Sequence, residues 1–362
     1  MRRSRAVLAL AVLLLGGGIS GCASAPEAQP PSPSAPSAAP TPSATASPSP
    51  TVTEAAPVLR PTLPHGGDCA RVLSAPHLDG LLGTGWMAYA DKYREWHPDE
   101  AEQPVLSSLG TLGGLECRWV AGEGGPFPEV QDLRIVLLPA EQAPPAFAAD
   151  FAVARCDSSY DAKPCRLAGT EGDLWIMARA GYEFEAPPVA FLEQAIAAAA
   201  ATADAPVAAR AADRRPEWWD LPDCEALGAD MGLAELIGED YRYGYWEGSL
   251  PPEEALLAEA GVQGTCPWFT GDTRPPDGEL YIVDLTVAAG AAWQWEQMED
   301  AEASVPVRVA GAESAIAVER DGRANDVVYA TDGVNVIAAR GADSEFLLRL
   351  AERALAALAG ER

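Results

Sequence analysis

The residues of this chain best suited to chemistry are its seven cysteines and three histidines. Setting Cys22 apart leaves Cys69, Cys117, Cys156, Cys165, Cys224 and Cys266, an even set that suits disulfides in an exported chain. No two of them stand at Cys-x-x-Cys spacing and no histidine cluster accompanies them, so neither a dithiol redox motif nor a zinc site is expected. His65, His77 and His97 fall into neither His-x-x-x-His nor HExxH spacing. His97, Asp99 and Glu100 in "WHPDE" could ligate a cation, but the stretch reads as a solvated acidic turn. "RDGRAND" and "TDG" lack the spacing of a calcium loop and read as turns. There is no GxSxG elbow, and beyond His97 no histidine at all. No catalytic residue, metal or cofactor is therefore expected.

Aromatic side chains are more suggestive. "GWMAYADKYREW" (85–96) holds Trp86, Tyr89, Tyr93 and Trp96, and "DYRYGYWEG" (240–248) holds Tyr241, Tyr243, Tyr245 and Trp246. Rigid amphipathic rings give contact area with few rotamers to freeze, which suits a glycan, peptide or protein ligand. The same rings could instead close a core beside a disulfide, and both readings stand at this point.

Cys22 has a different chemistry. It follows a basic start (Arg2, Arg3, Arg5), the apolar run "AVLALAVLLL" and the small residues up to Gly21, the layout of a secretory signal. The apolar length falls short of the roughly 20 residues of a spanning helix. "ISGC" resembles the bacterial lipoprotein box. That resemblance implies cleavage after Gly21 and a diacylglyceryl thioether on Cys22, which places the protein on the extracytoplasmic face of the cell membrane. Two acyl chains anchor stably where one does so marginally. "RRSRAV" lacks the apolar residues that usually follow a twin-arginine pair, which favours the general secretory route.

After Cys22, residues 23–64 hold 12 of the chain's 32 prolines and almost no bulky apolar side chain. Such a segment buries too little surface to offset its entropy and is expected to be a disordered tether, open to O-glycosylation. Its reach lies between about 35 Å as a coil and about 130 Å as polyproline II. The formal charge is −28, and without residues 1–21, which carry three Arg and no acid, it becomes −31. So acidic a body has no basic footprint for nucleic acid, and a tether longer than the roughly 8 Å screening length frees it from repulsion at an anionic membrane.

Beyond the tether the sequence repeats itself. "LPHGGDCARVL" (63–73) corresponds to "LPDCEALG" (221–228), "GLECRWV" (114–120) to "QGTCPWF" (263–269), and "LRIVLL" (133–138) to "LYIVDL" (280–285). "RLAGTE" (166–171) corresponds to "RVAGAE" (308–313), and "FLEQAIAAAAA" (191–201) to "FLLRLAERALAAL" (346–358). Two homologous domains are expected, 67–204 and 219–360, with a signal at 1–21, the lipidated Cys22 and tether at 22–66, and a linker at 205–218. Equivalent cysteines then make equivalent bonds, Cys69 with Cys117 and Cys224 with Cys266, which leaves Cys156 for Cys165.

Each repeat reads as a short helix, a Cys-x-Trp strand, another strand, a helix (about 141–154 and 287–301), closing strands and a terminal helix. The first repeat has one closing strand fewer. The fold class is α+β, two tandem domains of mainly antiparallel sheet with helices packed on them, stapled by disulfides. Asp-Cys, a helix ending Leu-x-Gly ("GLLG", "ELIG"), Cys-x-Trp, the Ala-Gly element and the terminal helix together resemble small lipoprotein domains of unknown function from actinobacterial cell envelopes. That resemblance implies an envelope location without enzymatic activity and names no ligand. The expected function is a tethered, non-catalytic binding or scaffold module for a glycan, peptide or protein of the cell wall. An envelope hydrolase using His77 or His97, or a lipid carrier with a large apolar cavity, are the alternatives.

Overall fold

The structure, a computed structural model, describes residues 60–98, 100–157, 163–182, 188–202, 208–238, 240–244, 250–270, 281–319, 326–341 and 344–360. Cys22, Asp99, Tyr245 and Trp246 lie outside the described residues.

The Asp-Cys pair shows how each half begins. Asp68 caps helix α1 (Cys69–Val72) by accepting the Ala70 N–H at 3.0 Å, so the cysteine becomes the first helical residue. α2 (Ala75–Leu82) ends at Gly83, whose φ of 82° and Cβ clearance of 2.4 Å from the Glu123 carbonyl admit only glycine. Then come β1 (Met87–Ala88), α3 (Tyr89–Trp96), α4 (Ser108–Thr111), β2 (Leu115–Val120) and β3 (Val130–Pro139). Prolines 144 and 145 set the start of α5 (Pro145–Phe151), shorter than the expected 141–154, because Ala140–Gln142 is a separate 3₁₀ turn. β4 (Arg155–Cys156), β5 (Lys163–Glu171), β6 (Leu174–Tyr182) and α6 (Val189–Ala200) complete the half.

The second half repeats the opening. Asp223 caps α7 (Cys224–Asp230) through the Ala226 N–H at 2.9 Å. It continues through α8 (Leu233–Ile237), β7 (Arg242–Tyr243), α9 (Pro252–Glu259), β8 (Gln263–Thr270) and β9 (Tyr281–Ala288). The helix expected over 287–301 begins later: residues 287 and 288 still belong to β9, Ala291–Gln294 is 3₁₀, and α10 is Trp295–Glu299. β10 (Val305–Pro306), β11 (Ser314–Val318), β12 (Asp326–Thr331), β13 (Val336–Gly341) and α11 (Ser344–Gly360) follow.

All strand pairs are antiparallel, and they make two sheets. The first has the order β1-β2-β3-β6-β5-β4, and the second, read from the same end, β7-β8-β9-β13-β12-β11-β10. In both, the last strand returns to pair with the strand that follows Cys-x-Trp, and the second sheet has one strand more. One expected correspondence does not hold in space. "RLAGTE" lies inside β5, beside the closing strand, whereas "RVAGAE" is the turn that precedes β11, two strands from β13. The resemblance of those two segments is local, because a Gly flanked by small residues fits either a strand or a turn.

The cysteines pair as expected: Cys69–Cys117, Cys156–Cys165 and Cys224–Cys266. Trp119 and Trp268, two residues on from Cys117 and Cys266, point to the same face and are 2% and 0% exposed. Those faces carry the two main cores. α1, α2 and α6 cover the first sheet with Val72, Leu78, Leu82, Phe191 and Leu192; α7, α8 and α11 cover the second with Leu227, Leu233, Phe346, Leu347 and Leu350.

The opposite face of the second sheet packs Ile316, Val318, Val327, Tyr329 and Val336 with Trp295 and Met298 of α10, and the opposite face of the first sheet meets a further core. Phe147 and Phe151 of α5 lie there with Val136, Leu138, Trp175 and Met177 of the first sheet, and Trp218, Leu256, Val262 and Ala289 join them from later in the chain. The described residues accordingly belong to one compact unit. Two expected spacers are drawn into it. Thr62 exchanges backbone hydrogen bonds with Arg210 at 2.8 Å, and the adjacent His65 is buried. In the expected linker the Ala212 N–H donates to the Thr111 carbonyl at 2.9 Å, and Trp218 is buried. Apolar Ala212 and Trp218 are the physical reason: a solvated linker would have left them in water. Among the described residues no helix is long and apolar enough to cross a membrane.

Candidate functional site

Alternation in the Cys-x-Trp strands turns one residue in two away from the helices. In the first sheet that outer face carries arginines. Arg118 of β2 stands directly opposite Arg134 of β3, Arg134 opposite Arg179 of β6, Arg179 opposite Arg166 of β5, and Arg166 opposite Arg155 of β4. The first four of the row, Arg118, Arg134, Arg179 and Arg166, have side chains 28%, 22%, 21% and 11% exposed.

Three carboxylates lie among them. Asp132 accepts from Arg118 Nε at 3.0 Å and lies 3.8 Å from Arg179. Glu116 meets Arg134 at 3.5 Å. Glu253, from α9 of the other half, is gripped by Arg166 in a two-pronged contact of 2.9 and 3.1 Å and stands 4.0 Å from Arg179. Burial would push the Glu253 carboxyl up, but the hydrogen bonds and charge of Arg166, with Arg134 behind it, hold it below its ordinary value. Glu116 goes the other way: burial raises it, against the pull of Arg134.

The next residue on α9, Glu254, faces the second sheet. It lines a groove of about 480 Å³ together with Gln263, Thr265, Pro267, Phe269, Asp284, Thr286 and Arg340, with Gly244, Pro251 and Leu106 also on its wall. Thr265 donates to Glu254, and Arg340 Nη1 donates to Thr286 Oγ1 at 3.1 Å. Burial raises the carboxyl of Glu254, with Asp284 and Glu253 adding to the rise and Thr265 and Arg340 opposing it. Burial likewise raises Asp284 against the pull of Arg340. A concave site with convergent hydroxyl, amide, guanidinium and carboxyl groups is what a polar ligand needs.

Each aromatic segment singled out from the sequence borders one of these faces. On α3, Tyr89, Tyr93 and Trp96 form a stripe, with Tyr89 6.3 Å from Tyr93 and 6.5 Å from Trp96. The Arg118 guanidinium lies 3.8 Å from the Tyr89 ring centre, so the stripe abuts the arginine row. Trp96 is 54% exposed, Tyr93 stacks on His97 at 4.4 Å, and Trp86 is held to Asp79 through its indole N–H at 2.9 Å. In the second segment Tyr241 packs against the main core, while Tyr243 is 41% exposed one residue before Gly244 of the groove. These rings are thus divided between core and surface rather than gathered into one platform.

His77 bonds Ser74 at 3.2 Å and His97 meets Glu100 at 3.0 Å, and neither lines the groove. Among the described residues no group of three or more His, Cys, Asp and Glu could hold a metal ion. Sequence reasoning missed Arg118, Arg134, Arg166, Arg179, Glu253, Glu254, Asp284 and Arg340. The available signal was a charge in the middle of each apolar strand ("ECRWV", "LRIVLL", "WIMARA", "IVDL"), since such residues are rarely buried without a partner. Comparison with known protein families, curated proteins and solved structures returns no match.

Proposed function

We infer that this protein is a lipid-anchored, extracytoplasmic binding module that takes a polar envelope ligand, a glycan or peptide, in the groove between α9 and the second sheet. The observation that carries the reading is the groove itself. Thr265, Thr286, Gln263 and Arg340 offer donors and acceptors, Glu254 and Asp284 add carboxyl groups, and Pro267 and Phe269 give apolar surface. Such a set recognises hydroxyl or amide groups and supplies no nucleophile with an adjacent histidine base. The anchor rests on the "ISGC" sequence and on three disulfides, which belong to oxidising compartments.

Two experiments test it. Labelled palmitate should follow the protein in its host, and Cys22→Ser should release it from the membrane; unchanged sedimentation of that variant would remove the anchor from the argument. For the ligand, soluble peptidoglycan glycan fragments and wall peptides are titrated separately into the Cys22→Ser chain and followed by amide NMR. Shifts centred on Gln263, Thr265 and Thr286 that vanish in Asp284→Asn support the groove. Shifts elsewhere, or none at millimolar ligand, overturn it.

A further inference from the structure

We propose that the row Arg118, Arg134, Arg179 and Arg166, flanked by the aromatic stripe of α3, is a binding site for a multiply charged oxyanion bearing phosphate or carboxylate groups. It is a separate site from the groove and does not depend on it.

The register is the first argument. Like charges directly opposite one another destabilise a sheet. Four adjacent strands nevertheless place arginine at the same level, and β4 adds Arg155 as a fifth. With neighbouring strands about 4.8 Å apart, four guanidiniums are spread over about 14 Å. The architecture does not demand them. Counting from the cysteines, the same row of the second sheet reads Pro267, Asp284, Arg340 and Val327.

The second argument is incomplete neutralisation. Three carboxylates serve four guanidiniums, and one of them, Glu116, has a side chain 41% exposed and stands 3.5 Å from Arg134. Arg134 Nε and Arg179 Nη1, in the middle of the row, have no hydrogen-bond partner. Burial, together with the charges of Arg134 and Arg166, disfavours the Arg179 cation despite the pull of Asp132 and Glu253. A bound anion relieves this imbalance. Guanidinium forks match the geometry of phosphate and carboxylate oxygens, and the Arg118 and Arg134 side chains remain partly open to solvent.

The third argument is context. The whole chain carries a formal charge of −28, so an anion is repelled from most of its surface and meets here a local concentration of positive charge. Tyr89 over Arg118 and the exposed Trp96 beyond it extend the row into a rigid apolar ledge that can carry the uncharged part of a larger ligand.

The test is calorimetric titration of the full chain carrying Cys22→Ser with pyrophosphate, citrate and, as a monovalent control, acetate. Pyrophosphate or citrate should bind and acetate should not. Response to pyrophosphate alone assigns phosphate, to citrate alone carboxylate, and to both an unselective oxyanion site; each supports the proposal. Affinity should fall severalfold between about 50 and about 200 mM salt. Arg134→Gln and Arg179→Gln should each weaken binding by about tenfold or more, as expected for loss of a charge-assisted bond. Arg71→Gln, in an arginine 72% exposed and remote from the row in sequence, should leave it unchanged. Arg134→Lys keeps the charge without the fork and gives an intermediate loss, a readout that also serves if Arg134→Gln misfolds. Thr286→Val in the groove should not affect anion binding, which separates this proposal from the groove reading. Absence of binding to both multivalent anions at about 10 mM, or equal binding by Arg71→Gln, Arg134→Lys and Arg179→Gln, overturns it.

Discussion

Glu253→Gln tests the electrostatics on which both sites depend. Glu253 ties α9 to the first sheet through Arg166, with side chains 17% and 11% exposed, so the pair is largely withdrawn from water. Truncating one partner of such a pair costs about 3–5 kcal/mol, because the other charge is left buried and uncompensated. The residual exposure, and the alternative contact of Arg179 with Asp132, place Glu253→Gln near the lower end, about 3 kcal/mol. Arg166→Gln should cost a similar amount. The double variant should cost less than the sum by about 2 kcal/mol, since it leaves no orphaned partner in the pair.

The sign with pH follows from the lowered carboxyl. Its stabilisation is present above the unfolded value, near 4.5, and is lost as pH falls through the still lower folded one. Urea unfolding of the four proteins at pH 7 and at successively lower pH measures the cycle. A coupling within about 0.5 kcal/mol of zero at pH 7, or one that grows on acidification, would refute the reasoning.

The remaining predictions concern the groove and the frame. Glu254 and Asp284 have raised carboxyls, so their contribution is present below the unfolded values and lost as pH rises through the folded ones. Glu254→Gln and Asp284→Asn should therefore raise Tm at pH 7 and lose that gain below about pH 4, while ligand binding in the groove falls; a lower Tm at pH 7 would contradict this. Asn335→Ala should cost about 4 kcal/mol in the same urea assay, because this fully buried amide accepts the Trp219 and Gly290 N–H groups at 3.1 Å each and donates to Glu217 at 2.9 Å. Paired Cys→Ala replacements at 69/117 should lose about 4 kcal/mol and at 156/165 about 2.5 kcal/mol, following loops of 48 and 9 residues.

What could be read from the sequence was whatever depends on local pattern. The helices after Asp-Cys, the Cys-x-Trp strands and the α6 and α11 faces follow from periods of two and 3.6, and the cysteine pairing from the correspondence of the two segments that carry Asp-Cys and Cys-x-Trp. α3, α4 and α9 were not foreseen. α3 carries an aromatic stripe but buries none of its residues, and α9 shows apolar residues on several sides because it is wedged between sheets, so neither presents the apolar face of a core helix. The arginine row was hidden for another reason. Its members lie far apart in sequence, and only the antiparallel register, set by the paths of six strands, brings them to one level. The ends of the tether and linker were misplaced because proline and small residues mark a chain that leaves regular structure, which Thr62 and Ala212 do while still hydrogen-bonded to the fold.

The two sheets share the residues that face their helices and differ in the residues that face away. Cys117 and Trp119 occupy the same core positions as Cys266 and Trp268, yet the residue between each pair is Arg118 in one sheet and Pro267 in the other. The inward pattern is thus shared while the outward positions differ in charge, so the two sites proposed above stand on faces of different chemistry. Helix α9 touches both faces. Successive side chains on a helix point about 100° apart, so Glu253 and Glu254 reach opposite sheets from neighbouring positions. The hydrogen bonds and charge of Arg166 hold the Glu253 carboxyl below its ordinary value, while burial raises that of Glu254 against the pull of Thr265 and Arg340. A change that shifts α9 would therefore alter the anion row and the groove together, and substitutions confined to either face would alter only one.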